Sequence, residues 1–269
     1  RYMEIRRESL SSLLGRTQRK CHIMGKRQNQ VMACVLRCEG GKVSTTSLVR
    51  DGKTSLSRFS AECGEGEATI PIPDIDRLLG VLKAHGERVR LACDKDRIRV
   101  KSVGKQTTLT ANLEGLAFPH SRDTIGEWEA KSLARAEQIR ADGYFIAKTE
   151  ETRGPIATWT LDAEDLRDAL SCDAINGQML NRYTFRCSDD GLTLSVGGEL
   201  KGQTVTLLSD EKNAEEAFEV TVEGGLDNAI RGIKGKVVLQ FYDFRDFEQG
   251  IRLLIRFEGG DFVLQAGLL

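Results

Sequence analysis

Few residues in this chain are of types that carry out chemistry, and their spacing does not suit it. The 269 residues include three histidines, at 22, 85 and 120, in separate segments. Seven cysteines stand at 21, 34, 38, 63, 93, 172 and 187. Cys34 and Cys38 with His22 could be read as metal ligands. A four-residue spacing on a strand, with no second pair, fits buried structural thiols better than a zinc site. No C-x-x-C occurs and the cysteine number is odd, which fits free thiols in a reducing, intracellular compartment. The acidic residues Asp189-Asp190 and Asp94/Asp96 occupy turn positions, and turn chemistry explains them before acid–base catalysis does. The glycines at 40, 41, 52, 64 and 66 lack the spacing of a phosphate loop. No G-x-S-x-G or H-E-x-x-H motif is present. The reading is of a chain that is not an enzyme, with no catalytic residue, no metal and no cofactor.

Charge is distributed unevenly. Residues 1–53 carry twelve Lys and Arg against four Asp and Glu, a net +8, so the remainder must carry −9 to reach the overall −1. A basic surface on an acidic body suits contact with a polyanion. Scattered solvated charges give the same count. At 40% apolar and 29% charged the chain is an ordinary globular sequence. No membrane span or signal-peptide pattern is visible, so no membrane partner is expected.

The elements that would position any functional side chain follow from hydrophobic period. Tyr2–Arg6 reads as a strand and Glu8–Cys21 as a helix, with Leu10, Leu13, Leu14, Thr17 and Cys21 along one stripe. Arg19 lies opposite that stripe and Arg16 beside it. Strands and turns run from 30 to 63. Ala68–Ile72 is a strand, and Asp74 can cap a helix over Ile75–Ala84. Arg77 points away from that helix's stripe of Ile75, Leu78, Leu79 and Leu82. Strands over 88–93, 97–103 and 106–112 follow. Residues 116–156 read as a long connector with a weakly amphipathic helical stretch around Glu127–Arg140. Then Thr158–Leu161 is a strand and Ala163–Cys172 a helix. Strands over 182–187, 192–196, 204–208 and 218–222, a helix over Gly225–Ile233, and three closing strands complete the chain.

The two halves repeat. Ile5, Leu10, Leu13 and Leu14 align with Leu161, Leu166, Ala169 and Leu170 at a constant offset of 156. Ile75, Leu78, Leu79, Leu82 and Lys83 align with Leu226, Ala229, Ile230, Ile233 and Lys234 at an offset of 151. Cys38 aligns with Cys187. Two helices per half can cover only one face of so much sheet. The fold class is therefore α+β, with duplicated β-α-β-β-β units and helices on one face of antiparallel sheets. Domains are expected at 1–115 and 157–269, joined by the 116–156 connector.

Asp190–Leu200 reads D-G-L-T-L-S-V-G-G-E-L, a β-hairpin by pattern. With Cys187 before it and Thr204–Ser209 after it, the run C-x-x-D-G-x-x-x-S-x-x-G-E-L…L-S resembles the second half of a DNA sliding clamp of the proliferating cell nuclear antigen type, eukaryotic or archaeal. The duplicated units and the mid-chain connector extend the resemblance over nearly the whole chain. It implies the two-domain DNA-clamp fold and a processivity factor that encircles duplex DNA without reading sequence. It also implies a homotrimer assembled head to tail through Lys105–Asn112 of one subunit and Gln203–Leu208 of the next. Expected partners are DNA polymerase, other clamp-binding proteins and a clamp loader, in replication and repair. The location is nuclear in a eukaryote and otherwise cytoplasmic. Arg16, Arg19, Arg77, Lys83, Arg231 and Lys234 would face DNA. Phe118, Ile251 and Leu253 would contribute to a pocket for client peptides.

Three features depart from the family's pattern. Helix Ala163–Cys172 turns Glu164 and Asp168 outward, where acidic groups repel phosphate. The connector is long, and the sequence ends Ala266-Gly267-Leu268-Leu269 where such clamps usually carry Ala-Pro. The alternative is one subunit of a heteromeric checkpoint-type clamp acting in the DNA damage response. A scaffold of this fold without DNA and an unrecognised enzyme are the remaining classes.

Overall fold

The structure is a computed structural model that describes residues 1–18, 20–23, 26–29, 31–50, 54–110, 123–175, 182–196, 203–209, 211–223 and 226–268. It divides into two compact units, one of residues 1–18, 31–48 and 57–134, the other of 19–30, 49–56 and 135–269.

In chain order the first unit opens with β1 (Tyr2–Arg6) and α1 (Arg7–Thr17). The hairpin β2 (Lys20–Ile23) and β3 (Lys26–Asn29) belongs to the second unit. Then come β4 (Cys34–Glu39), β5 (Lys42–Arg50), β6 (Thr54–Glu62), β7 (Glu65–Gly66), β8 (Ala68–Ile72) and α2 (Ile75–Leu82). β9 (Arg88–Cys93), β10 (Arg97–Ser102), β11 (Lys105–Thr110) and α3 (Ile125–Ala136) follow. One sheet runs in the order β11-β10-β9-β1-β7. β4 pairs with β5 and β8 in another.

The second unit has β12 (Ile139–Arg140), β13 (Gly143–Ile146), β14 (Glu151–Arg153), β15 (Ala157–Asp162) and α4 (Ala163–Ile175). It continues with β16 (Arg182–Ser188), β17 (Gly191–Val196), β18 (Gln203–Leu207), β19 (Glu211–Ala214) and β20 (Phe218–Glu223). It closes with α5 (Leu226–Ile230), β21 (Lys236–Asp243), β22 (Ile251–Arg256) and β23 (Phe262–Ala266). The duplication is visible in the pairings. β1 pairs with β9 as β15 pairs with β21. β8 pairs with β4 as β20 pairs with β16. β8-α2-β9-β10-β11 has its counterpart in β20-α5-β21-β22-β23. The ladders cited are antiparallel, and the α+β class expected from sequence is the class observed.

The helices exist because their stripes are buried. Leu10, Leu13 and Leu14 of α1 are at most 2% exposed, and Ile75, Leu78 and Leu82 of α2 are fully covered. Each such side chain contributes about 1.5–3 kcal/mol of gross burial free energy. Asp74 caps α2 by accepting the Arg77 N–H at 2.9 Å. In the second unit Phe241 of β21 joins the layers, with ring centroids 6.3 Å from Trp159, 5.7 Å from Phe185 and 5.0 Å from Phe218. Such offset and edge-on contacts add to the area buried.

Three helices are shorter than their periodicity predicts, α2 by the two residues after Leu82. α1 ends at Thr17, whose hydroxyl donates back to the Leu13 carbonyl at 2.8 Å, and Gln18 is extended. Cys21 therefore lies on β2. α5 ends at Ile230, and the positive φ of Gly232 prevents continuation. Connector residues form more structure than expected. Thr124 and Glu127 cap α3 reciprocally, the Thr124 N–H donating to Glu127 Oε2 at 2.8 Å and the Glu127 N–H to Thr124 Oγ1 at 3.3 Å. Trp128 donates its indole N–H to the Leu48 carbonyl at 2.9 Å, which docks α3 on the first unit. β12, β13 and β14 form a small sheet with no counterpart in the sequence reading. The hairpin at Asp190-Gly191 is present, with Ser188 opposite Gly191 and Cys187 opposite Leu192. Gly197 and Gly198 lie outside the described residues.

His85 ties the first unit's helices to its edge strand. Its ring is 3% exposed, with Nδ1 2.8 Å from Ser102 Oγ and Nε2 2.8 Å from Thr107 Oγ1. Its carbonyl accepts from Arg7 at 2.7 Å. Burial, then the nearby Lys105 charge, hold the imidazole below its ordinary pKa. The folded state thus prefers neutral His85, while the unfolded chain takes up a proton below about pH 6.5. The sign follows: stability is unaffected above that pH and falls as pH drops below it, by at most about 1.4 kcal/mol per pH unit from this group. Chemical denaturation of wild type and His85→Gln at pH 7.5 and 5.5 checks this. The wild type should lose more stability on acidification than the variant.

Candidate nucleic-acid interface

α1 brings Arg16 to the border of its own apolar stripe, three residues after Leu13. Arg16 was expected to face outward, and the structure corrects this. The residue is 7% exposed, with its guanidinium carbon 4.3 Å from the centroid of Phe59. It lines a recess of about 360 Å³ with Glu8, Ser9, Ser12 and Ser60. The long stem and planar head of arginine let it lie against a ring, and a helical wheel cannot see the Phe59 that receives it. Arg19 lies outside the described residues.

α2 presents Arg77 and Lys83 as exposed cations. Arg77 Nη1 donates to the Thr110 carbonyl at the end of β11, at 3.3 Å. Lys83 is the C-cap residue of α2. Arg231 and Lys234 are exposed too, but they stand in the turn and loop after α5 and not on the helix as expected. α4 keeps the acidic face read from sequence. Glu164, Asp165 and Asp168 are exposed. Half-buried Arg167 lies 3.6 Å from Glu164 and 3.9 Å from Asp168.

The proposed client-pocket residues are not brought together at a surface. Ile251 is 6% exposed and Leu253 fully buried, opposite Phe241 in the β21–β22 ladder. Both are core residues, because β22 is covered on both faces over 251–255. Between them Arg252 is 9% exposed and donates to the Tyr144 hydroxyl at 2.8 Å, its guanidinium 4.4 Å from the Phe244 ring. Burial pulls the Arg252 pKa below its ordinary value. Phe118 lies outside the described residues.

A cationic surface that the sequence reading missed stands on the first unit. Arg88 and Arg90 of β9 and Arg97, Arg99 and Lys101 of β10 alternate with the buried Val89, Leu91, Ile98 and Val100. They occupy the sheet face away from the core. Glu4 approaches Arg90 at 3.1 Å and Arg88 at 3.8 Å, Asp96 approaches Arg97 at 3.4 Å, and Asp94 pairs with Arg99. Exposed pairs of this kind contribute little. The signal was legible as R-x-R and R-x-R-x-K at strand period. Among the described residues no cluster of His, Cys, Asp and Glu could hold a metal.

No protein-family model matches the chain, and no curated protein matches it by sequence. Solved structures do. The DNA polymerase sliding clamp from Bacillus subtilis superposes with a TM-score of 0.64 at 12% identity, covering 100% of this chain and 64% of that one. The DNA polymerase III beta chain from Streptococcus pneumoniae gives 0.63 at 13% identity, with 100% and 64% coverage. The DNA polymerase III subunit beta from Pseudomonas aeruginosa gives 0.59 at 15% identity, with 100% and 66%. The chain thus spans just under two thirds of the length of these bacterial clamps.

If the exposed cations contact phosphates, each should release counterions on binding. Arg77→Ala should then lower the magnitude of the log K against log[salt] slope by about 1 for a duplex, uniformly across sequences. Fluorescence anisotropy over a salt series reads this, and an unchanged slope removes Arg77 from the interface. Measured against these solved structures, the chain has the sliding-clamp fold.

Proposed function

We propose that the protein is a sliding clamp: a non-enzymatic ring around duplex DNA that tethers DNA polymerase and other DNA enzymes. The observation that carries the reading is the superposition of the whole of this chain on about two thirds of solved DNA polymerase sliding clamps, together with the unit duplicated within the chain. Supporting it, the two strands expected to meet between subunits are sheet edges among the described residues. β11 ends the order β11-β10-β9-β1-β7 and β18 ends the order β18-β17-β16-β20. An edge strand exposes unpaired backbone groups, and closing a head-to-tail cycle satisfies them.

The proposed mechanism needs no chemistry. Exposed Arg77, Lys83, Arg231 and Lys234 touch phosphates without reading bases, so contact is sequence-independent and weak in salt. Retention comes from topology, and weak contact permits sliding. Arg16 is withdrawn from this set by its burial. The acidic face of α4 keeps phosphate at a distance and lowers the ring's affinity for DNA. A clamp loader would open the ring.

The proposal includes the homotrimer, made from three two-unit chains. Affinity with the eukaryotic or archaeal type rests on the C-x-x-D-G hairpin motif, whereas the solved neighbours reported above are bacterial. Nuclear location goes with a eukaryotic source and a cytoplasmic location with any other, and a damage-response role goes with the heteromeric reading. A second reading, one subunit of a heteromeric clamp, is favoured by the exposed Glu164, Asp165 and Asp168 on α4.

Native mass decides the stoichiometry. Sedimentation or native mass spectrometry should give about three times the 29.8 kDa chain mass, and Thr108→Pro in β11 should reduce the assembly, because proline cannot donate to a ladder. A wild-type monomer would overturn the homotrimer and favour the heteromeric reading.

A further inference from the structure

The sliding-clamp reading leaves one pair of reactive groups unused. Cys38, at the core side of β4, is 3% exposed, and Cys63, half-buried, follows β6. Their sulfurs are 2.9 Å apart. That is closer than unbonded sulfurs settle in a packed core, and less than 1 Å of movement separates it from a disulfide's bond length of about 2.05 Å. Cys34, Cys93 and Cys187 have no second thiol at such a distance among the described residues.

The backbone on both sides of the pair is fixed. The Cys63 N–H donates to the Gly41 carbonyl at 2.8 Å, at the turn between β4 and β5. The next residue, Gly64, donates to the Glu4 carbonyl at 2.8 Å. Gly66 pairs with Met3 at a φ of +109°, and a Cβ there would lie 2.1 Å from the Tyr2 carbonyl oxygen. The segment 63–66 is therefore held against β1, so closely at Gly66 that no side chain would fit there. On the other strand, Cys38 is paired with Val43 in β5 and Ala68 in β8. The β4 ladders hold Cys38 and the Gly41 carbonyl holds the Cys63 N–H, so both residues are kept where their sulfurs already lie 2.9 Å apart.

We propose that Cys38 and Cys63 are a reversible oxidation site, forming an intramolecular disulfide with a hydroperoxide as oxidant. The two thiols divide the roles by environment. Cys63 is the accessible one, with its thiol aimed at the Glu4 carbonyl at 3.2 Å. Cys38 is inside, and burial, reinforced by Cys63, pushes its pKa up to about 12, so it stays a thiol until its partner is oxidised. In the first step the Cys63 thiolate attacks one peroxide oxygen. The O–O bond breaks, Cys63 becomes a sulfenic acid, and the departing hydroxide takes up the proton Cys63 had released, giving water. In the second step the Cys38 sulfur attacks the Cys63 sulfur. The S–O bond breaks, the S–S bond forms, and the leaving hydroxide takes the Cys38 proton as a second water. Two thiols supply the two electrons that reduce one peroxide. A small dithiol reverses the bond by exchange. The cross-link fastens the end of β4 to the corner that carries β7 and, through it, β1.

The test uses the full chain treated with hydrogen peroxide, blocked with an alkylating reagent and digested without reductant. The expected result is a Cys38–Cys63 linked peptide that dithiothreitol abolishes, with a melting temperature a few degrees higher in the oxidised protein. In Cys38→Ser the resolving thiol is gone, so Cys63 should accumulate sulfenic acid that dimedone traps, at least several-fold above wild type. Mapping of the wild type does not depend on the variant's folding. The proposal is overturned if peroxide leaves both residues reduced. It is equally overturned if either cysteine links to another, or if Cys63 in the wild type proceeds to sulfinic acid without a cross-linked peptide.

Discussion

Everything in this fold depends on where the helices can bury their apolar stripes. Leu10, Leu13 and Leu14 in α1, and Ile75, Leu78 and Leu82 in α2, are covered almost completely. Leu161, Ala163, Leu166, Ala169 and Leu170 repeat the arrangement at β15 and α4. The two short helices that the duplication supplies to each unit cannot cover both faces of the sheets around them. Even with α3 docked on the first unit, each unit therefore keeps strands with one face toward solvent, β9 and β10 in the first and β16 in the second. That exposure decides which charged residues can meet a partner, and it does so twice because the unit is duplicated. It also leaves strands β11 and β18 at the margins of their sheets.

Much of this was legible in the sequence, for a physical reason. Period and burial are coupled, so Ile75, Leu78 and Leu82 and the alternation of Arg182–Ser188 announced helix and strand directly. The offset held constant within each helix exposed the duplication because core positions tolerate little change in size and place. Illegible were the features set by distant partners. Arg16 looked like an outward cation because Phe59, far along the chain, lies outside any wheel. Ile251 and Leu253 looked available because the cover over β22 comes from other parts of the chain. The small sheet β12-β13-β14 is built from strands of two to four residues, too short to show a period.

The candidate site is correspondingly mixed. Arg77, Lys83, Arg231 and Lys234 are exposed as their spacing suggested, though two of them follow a helix that ends early. The strongest alternation of cations, on β9 and β10, escaped a reading that looked for DNA contacts on helices alone. Its period of two was present in the text from Arg88 to Lys101. The chemistry that sequence dismissed as structural thiols also changed meaning once β4 and the segment after β6 were seen side by side. Spacing along the chain cannot show a 2.9 Å contact between residues 25 positions apart.

The central claim is that retention on DNA is topological. It is tested most directly by assembling the protein on a nicked circular duplex and challenging it with high salt before and after cutting the circle once. The proposed ring should remain on the closed circle and leave from the ends of the linear form. Equal release from both would contradict topological tethering, whatever the protein's affinity for phosphate.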